Sequence, residues 1–109
     1  MTSMTLKVMR KTDRTVPMIC CDVCGSWIDD VGLAAAVFKS LSDEGECQEV
    51  HLVHKGGCHD TVEARLREGG NSVGWHELGR FLADLSHNSG LTLERLQKLE
   101  ADDETFGRL

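Results

Sequence analysis

Two short motifs constrain this chain more than any hydrophobic pattern in it. Cys21 and Cys24 are separated by two residues and followed at once by Gly25. After twenty-nine intervening residues come His54 and Cys58, with Lys55, Gly56 and Gly57 between them. A Cys-x2-Cys step lets both thiolates reach one ion from a tight turn, and a glycine behind the second cysteine permits a positive φ that swings amides toward the sulfurs. His54 ends a predicted strand, Cys58 opens a predicted helix, and the two glycines let the chain double back. Three thiolates and one imidazole complete a tetrahedral shell with no open position, the mark of a structural rather than a catalytic zinc. One zinc ion on Cys21, Cys24, His54 and Cys58 is the expectation.

Cys20 is the nearest substitute for Cys21, but its wider gap to Cys24 suits a tight turn less well. His59 is the substitute for His54. His51 lies three residues before His54, so on a strand it faces the other way and reads as a surface residue. Cys47 lies among acidic residues and reads as a bystander. A redox Cys-x-x-Cys pair would open a helix within a βαβ unit, and no such pattern surrounds Cys21 and Cys24.

A length of 109 residues fits one domain. The zinc module is expected over about 16–70, a helical part over about 73–100 and an acidic tail over 100–109. With two Trp, three Phe and no Tyr, the core is small, so a metal crosslinking distant segments would help it. Five cysteines are an odd number for a closed disulfide framework. No apolar run reaches the roughly 18–20 residues of a membrane span, and Met1–Lys11 lacks the apolar stretch of a secretory signal. A soluble, cytoplasmic protein is expected. The net charge of −6 is unevenly spread: residues 1–20 carry Lys7, Arg10, Lys11 and Arg14 against Asp13, while the rest is acidic. An acidic body disfavours nucleic acid, whose phosphates call for a basic face.

Along the chain, Thr5–Arg10 alternates like an edge strand, and Val16–Cys20, with Pro17, reads as an extended lead-in to the cysteines. Gly32–Leu41 is rich in helix formers, with Leu33, Val37, Phe38 and Leu41 on one face, and predicts a helix. Glu49–Lys55 predicts a strand and Cys58–Glu68 a helix. Trp75, Leu78, Leu82 and Leu85 predict an amphipathic helix ending near Asn88–Gly90. Thr92 is placed to cap a last helix through about Leu99. The fold class is therefore α+β: a small zinc-stabilised, treble-clef-like module of short strands packed against three or four helices.

Three stretches, CDVCG at Cys21–Gly25 with Ile28, VHKGGC at Val53–Cys58 and WHELGRFLADLSHN at Trp75–Asn88, together resemble a family of small bacterial zinc-knuckle proteins of zinc-ribbon and treble-clef type. The resemblance covers about half the chain. It implies zinc on the same four residues and a fold, but no reaction or partner. The first ligand pair is also similar to that of LIM domains, whose third and fourth ligands stand one residue closer together. The second zinc module of a LIM domain is missing.

The leading functional expectation is a non-enzymatic, zinc-stabilised interaction or regulatory protein with a protein partner. The alternative from another class is a zinc-containing nuclease or nucleic-acid-processing enzyme, which would need a catalytic histidine and a further metal ligand that His51 and His54 do not clearly supply. A third is an acidic decoy for a nucleic-acid-binding protein, with Asp29-Asp30, Asp43-Glu44-Glu46 and Glu100–Glu104 in place of phosphates; solvated surface is the simpler reading. The paired helices over 75–99 suggest a helix-turn-helix, yet Glu94 and Glu100 are poor residues for a recognition helix. The Trp75–Leu85 stripe reads as packing against the zinc module rather than a partner groove, and Trp27 as a cover over the metal.

Overall fold

The computed structural model describes residues 5–106, with side chains described through residue 102. It is α+β: a hairpin, a three-stranded sheet, a 3-10 turn and three helices. The hairpin pairs β1 (Leu6–Lys11) with β2 (Arg14–Ile19). The sheet has β3 (Ala34–Lys39) at its centre, flanked antiparallel by β4 (Val50–His54) and β5 (Val73–Glu77). The helices are α1 (Gly57–Glu68), α2 (Leu78–Asn88) and α3 (Leu93–Phe106).

The largest departure from expectation is Gly32–Leu41. It is not a helix but a 3-10 turn at Val31–Leu33 followed by β3, the middle strand of the sheet. Ala34, Ala35, Ala36 and Val37 are completely buried, on alternating faces. A strand covered on both sides carries apolar residues without alternation, so its pattern cannot be told from a buried helix. Pairing to both β4 and β5 outweighs the alanines' local preference for helix.

Cross-strand register sorts the sheet residues. Ala35, Val37, Val53 and Trp75 share one face, against which α1 packs, with the His59 ring edge-on to Trp75 at 5.3 Å. Ala36, Phe38, Leu52 and His76 share the other, where Phe81 and Leu85 of α2 line a groove with Phe38 and His76. Side chains no larger than alanine at the centre of β3 let both helices approach the sheet. Ala36→Leu is expected to overpack this layer at a cost of about 1–3 kcal/mol, read as a melting temperature lower by roughly 5–20 °C.

Trp75 also departs from expectation. It belongs to β5, and the helix begins only at Leu78. The apolar stripe is split accordingly: Leu78 is fully buried, Phe81 and Leu82 pack on the core, and Trp75 and Leu85 are half exposed. The strand over 49–55 and the helix over 58–68 appear within a residue or two of expectation. Thr92 caps α3, its Oγ1 accepting from the Arg95 amide at 3.3 Å. That helix runs on to Phe106 and takes in the segment expected as an acidic tail. Helices α1 and α2 cover the sheet, whereas α3 has no substantial packing partner among the described residues. Residues 1–4 and 107–109 lie outside the described residues.

Candidate metal centre

The chain leaves β2 at Ile19 and turns through Cys21–Gly25. Gly25 has φ +75°, and its amide donates to the Cys21 carbonyl at 2.9 Å. The Cys21 amide donates to the Ser26 carbonyl at 2.9 Å, and the Ile28 amide to Ile19 at 2.8 Å, closing a knuckle around the two thiols. On the far side of the site, β4 ends at His54, and Gly56 at φ +88° reverses the chain into α1, whose first turn carries Cys58. Only glycine adopts these two positive angles without strain. Neither has a side chain pressing on it, so backbone conformation alone accounts for the choice.

The knuckle and the strand–helix junction meet. One ligand atom from each of Cys21, Cys24, His54 and Cys58 lies within 4.8 Å of the others, close enough to hold a metal ion. His54 Nδ1 is 3.4 Å from Cys24 Sγ, and its Nε2 lies 3.3 Å from the Trp27 carbonyl. Donation from Nε2–H to that carbonyl leaves Nδ1 directed at the sulfurs, the arrangement by which a second partner orients a metal-binding imidazole. Trp27 therefore serves the site through its backbone. Its indole is half exposed and lines a groove beside the hairpin with Met9 and Val16.

The four donors carry unequal charge. Burial pushes the Cys21 thiol up, but the backbone amides of Cys24, His54 and Val23 outweigh it and hold it below the usual thiol range. Exposed Cys24 is lowered to about 6, first by the backbone amide and then by the side chain of Ser26. Cys58 is pushed up to about 11 by burial and by the Cys21 and Cys24 thiols beside it. Burial works against a charged His54, but hydrogen bonds to Cys21, Cys24 and the Trp27 carbonyl raise it overall. Crowded donors that compete for protons in this way are relieved by a cation, which binds the deprotonated forms.

A further residue, not singled out from the sequence, holds the two halves together. Asp22 is inside the knuckle, its side chain only 6% exposed. Its amide donates to the Leu52 carbonyl at 3.0 Å, and its Oδ2 accepts from the Leu52 amide at 3.1 Å. Its Oδ1 accepts from the Thr5 hydroxyl. The knuckle is thereby bound to β4 two residues before His54. An aspartate between the two cysteines was the only available signal, and it identifies no partner.

The alternative ligands fall elsewhere. Cys20 is buried outside the cluster, its backbone bridged to Trp27. His59 Nε2 lies 3.2 Å from Glu63 Oε2, and its ring meets Trp75. His51 faces away from His54, as an odd spacing on a strand requires, with Nδ1 3.9 Å from Asp22 Oδ2. Cys47 is exposed, 3.6 Å from the Gly45 carbonyl. Cys47→Ser is expected to leave metal content unchanged and stability within about 0.5 kcal/mol, checked by elemental analysis and thermal melting.

No helix among the described residues is long and apolar enough to cross a membrane. Comparison with protein families, with curated proteins and with solved structures gives no match.

Proposed function

We propose that the chain is a non-enzymatic interaction protein whose fold is secured by one structural zinc ion on Cys21, Cys24, His54 and Cys58. The observation that carries this reading is the convergence of three thiols and one imidazole within 4.8 Å, from segments about thirty residues apart. Soft sulfur donors with one imidazole suit zinc, and four protein ligands leave no position for water or substrate. Two ligands from a knuckle and two from a strand-to-helix junction, with the β3–β4 hairpin between, support a treble-clef type of module and the resemblance to small bacterial zinc-knuckle proteins. Bound there, the ion supplies charge neutralisation and a crosslink. The residues do the rest: Trp27 orients His54, Ser26 stabilises the Cys24 thiolate, and Asp22 fixes the knuckle.

Elemental analysis of protein purified without added metal tests the reading, with thiols counted before and after chelation. One zinc per chain, with three thiols reactive only after chelation, is the expected result. No metal, a different metal, or a disulfide between Cys21 and Cys24 would overturn it.

A further inference from the structure

Among the described residues, two elements pack little against the rest of the molecule, and they carry opposite charge. The β1–β2 hairpin packs mainly on itself, with Ile19 at its base against the core and Trp27 beside Met9 and Val16, and among the described residues α3 extends from the turn after α2 without a substantial contact to any other element. An isolated two-stranded hairpin is marginal in water and needs a covering surface. Its register places Leu6, Val8, Pro17 and Arg10 on one face, with Leu6 77% and Val8 67% exposed. On α3, Leu93, Leu96 and Leu99 follow one another every three residues along one side, with Glu100 falling between Leu93 and Leu96 around the helix. Leu93 is 71% and Leu99 56% exposed. The helix sequence carries Glu94, Glu100, Asp102, Asp103 and Glu104 against Arg95 and Lys98, and Arg95 is turned back onto the Gly90 carbonyl at 3.1 Å. The hairpin carries Lys7, Arg10, Lys11 and Arg14 against Asp13, with Arg10 on the Leu6–Val8–Pro17 face and Lys7, Lys11 and Arg14 on the opposite one.

We infer that the occupant of each surface is a second copy of this chain: the leucine side of α3 docks on the Leu6–Val8–Pro17 face of its partner's hairpin, with Glu100 toward Arg10. Among the described residues the two elements make no substantial contact with each other within a chain, and a contact that covers both is supplied by another molecule. Reciprocal exchange covers both patches twice and closes the assembly with two-fold symmetry. The inference gives the interaction protein proposed above its partner, and it uses none of the four metal-binding residues.

The test is sedimentation analysis of the metal-loaded 109-residue chain over a concentration series, with Arg10→Glu and Glu100→Arg variants. The expected result is a concentration-dependent dimer, twice the 12.0 kDa of one chain, that weakens as salt screens the charges. Each variant alone sets like charges against each other and is expected to raise the dissociation constant about tenfold or more. In an equimolar mixture of the two variants, one contact is the native Arg10–Glu100 pair and the other is the same pair with its charges exchanged, so both are attractive and dimer is expected to recover. A monomer at all concentrations overturns the inference, as does a dimer insensitive to both variants. Fold-back of α3 on its own hairpin would be disturbed by each variant without rescue on mixing, and that outcome also overturns it. Circular dichroism and zinc content, measured on the same samples, separate these results from failure of the metal reading.

Discussion

Cys24→Ser is expected to leave the chain unfolded or molten, without bound zinc. Cys24 is exposed and contributes nothing to the apolar core. Replacing sulfur by oxygen there removes no packing, so any loss of fold reports the metal alone. Structural zinc in small modules contributes apparent free energies of about 10–16 kcal/mol, as large as the about 5–15 kcal/mol that separates most folded domains from their unfolded chains. The core that remains is centred on three alanines, with Leu78, Val37 and Val53 among its largest fully buried side chains, and it is too small to replace that contribution. Far-UV circular dichroism and a thermal melt check the result. A variant that keeps native helicity and a cooperative transition would show that no metal is needed for folding.

Asp22→Ala should have the next largest effect. It leaves the Leu52 amide without its acceptor and removes the bond from Thr5, both made to a carboxylate with little access to water. Hydrogen bonds to charged groups are worth about 1.5–3 kcal/mol each, so a loss of roughly 2–4 kcal/mol is expected after relaxation. The melting temperature should fall by roughly 10–20 °C. Because Asp22 is flanked by Cys21 and fixes the knuckle two residues before His54 on β4, chelator competition should show zinc held about 10–100-fold less tightly. Asp22→Asn, which retains one acceptor oxygen, should lose less on both measures. Equal behaviour of the alanine variant and the parent protein would remove Asp22 from the account of the site.

The convergence of Cys21, Cys24, His54 and Cys58 was legible in the sequence because metal ligation demands particular residue types at particular spacings. Gly25 and Gly56 were legible for a related reason, since both turns require positive φ. The placement of β3 was not. Ala34–Phe38 satisfies a helical and a buried-strand pattern equally, and only its partners β4 and β5, drawn from distant parts of the chain, decide between them. Trp75 misled in a similar way: its spacing to Leu78 and Leu82 is helical, yet pairing with Val37 keeps it in a strand. Asp22 was hidden because its partners, Thr5 and Leu52, lie 17 and 30 residues away. Local chemistry reads well from sequence, and long-range pairing reads poorly.

The two hydrogen bonds between Asp22 and the Leu52 backbone have a meaning for solution behaviour as well. Strand β4 is at one margin of the sheet, and β3 occupies only its inner side. The knuckle caps the other side at Leu52. An open strand margin is a template on which other chains assemble. Loss of the ion would free the knuckle and uncover that margin in whatever part of the strand survives in the molten chain. Chelated protein should therefore be lost first to precipitation, before reversible unfolding is complete, and storage with trace zinc should preserve it.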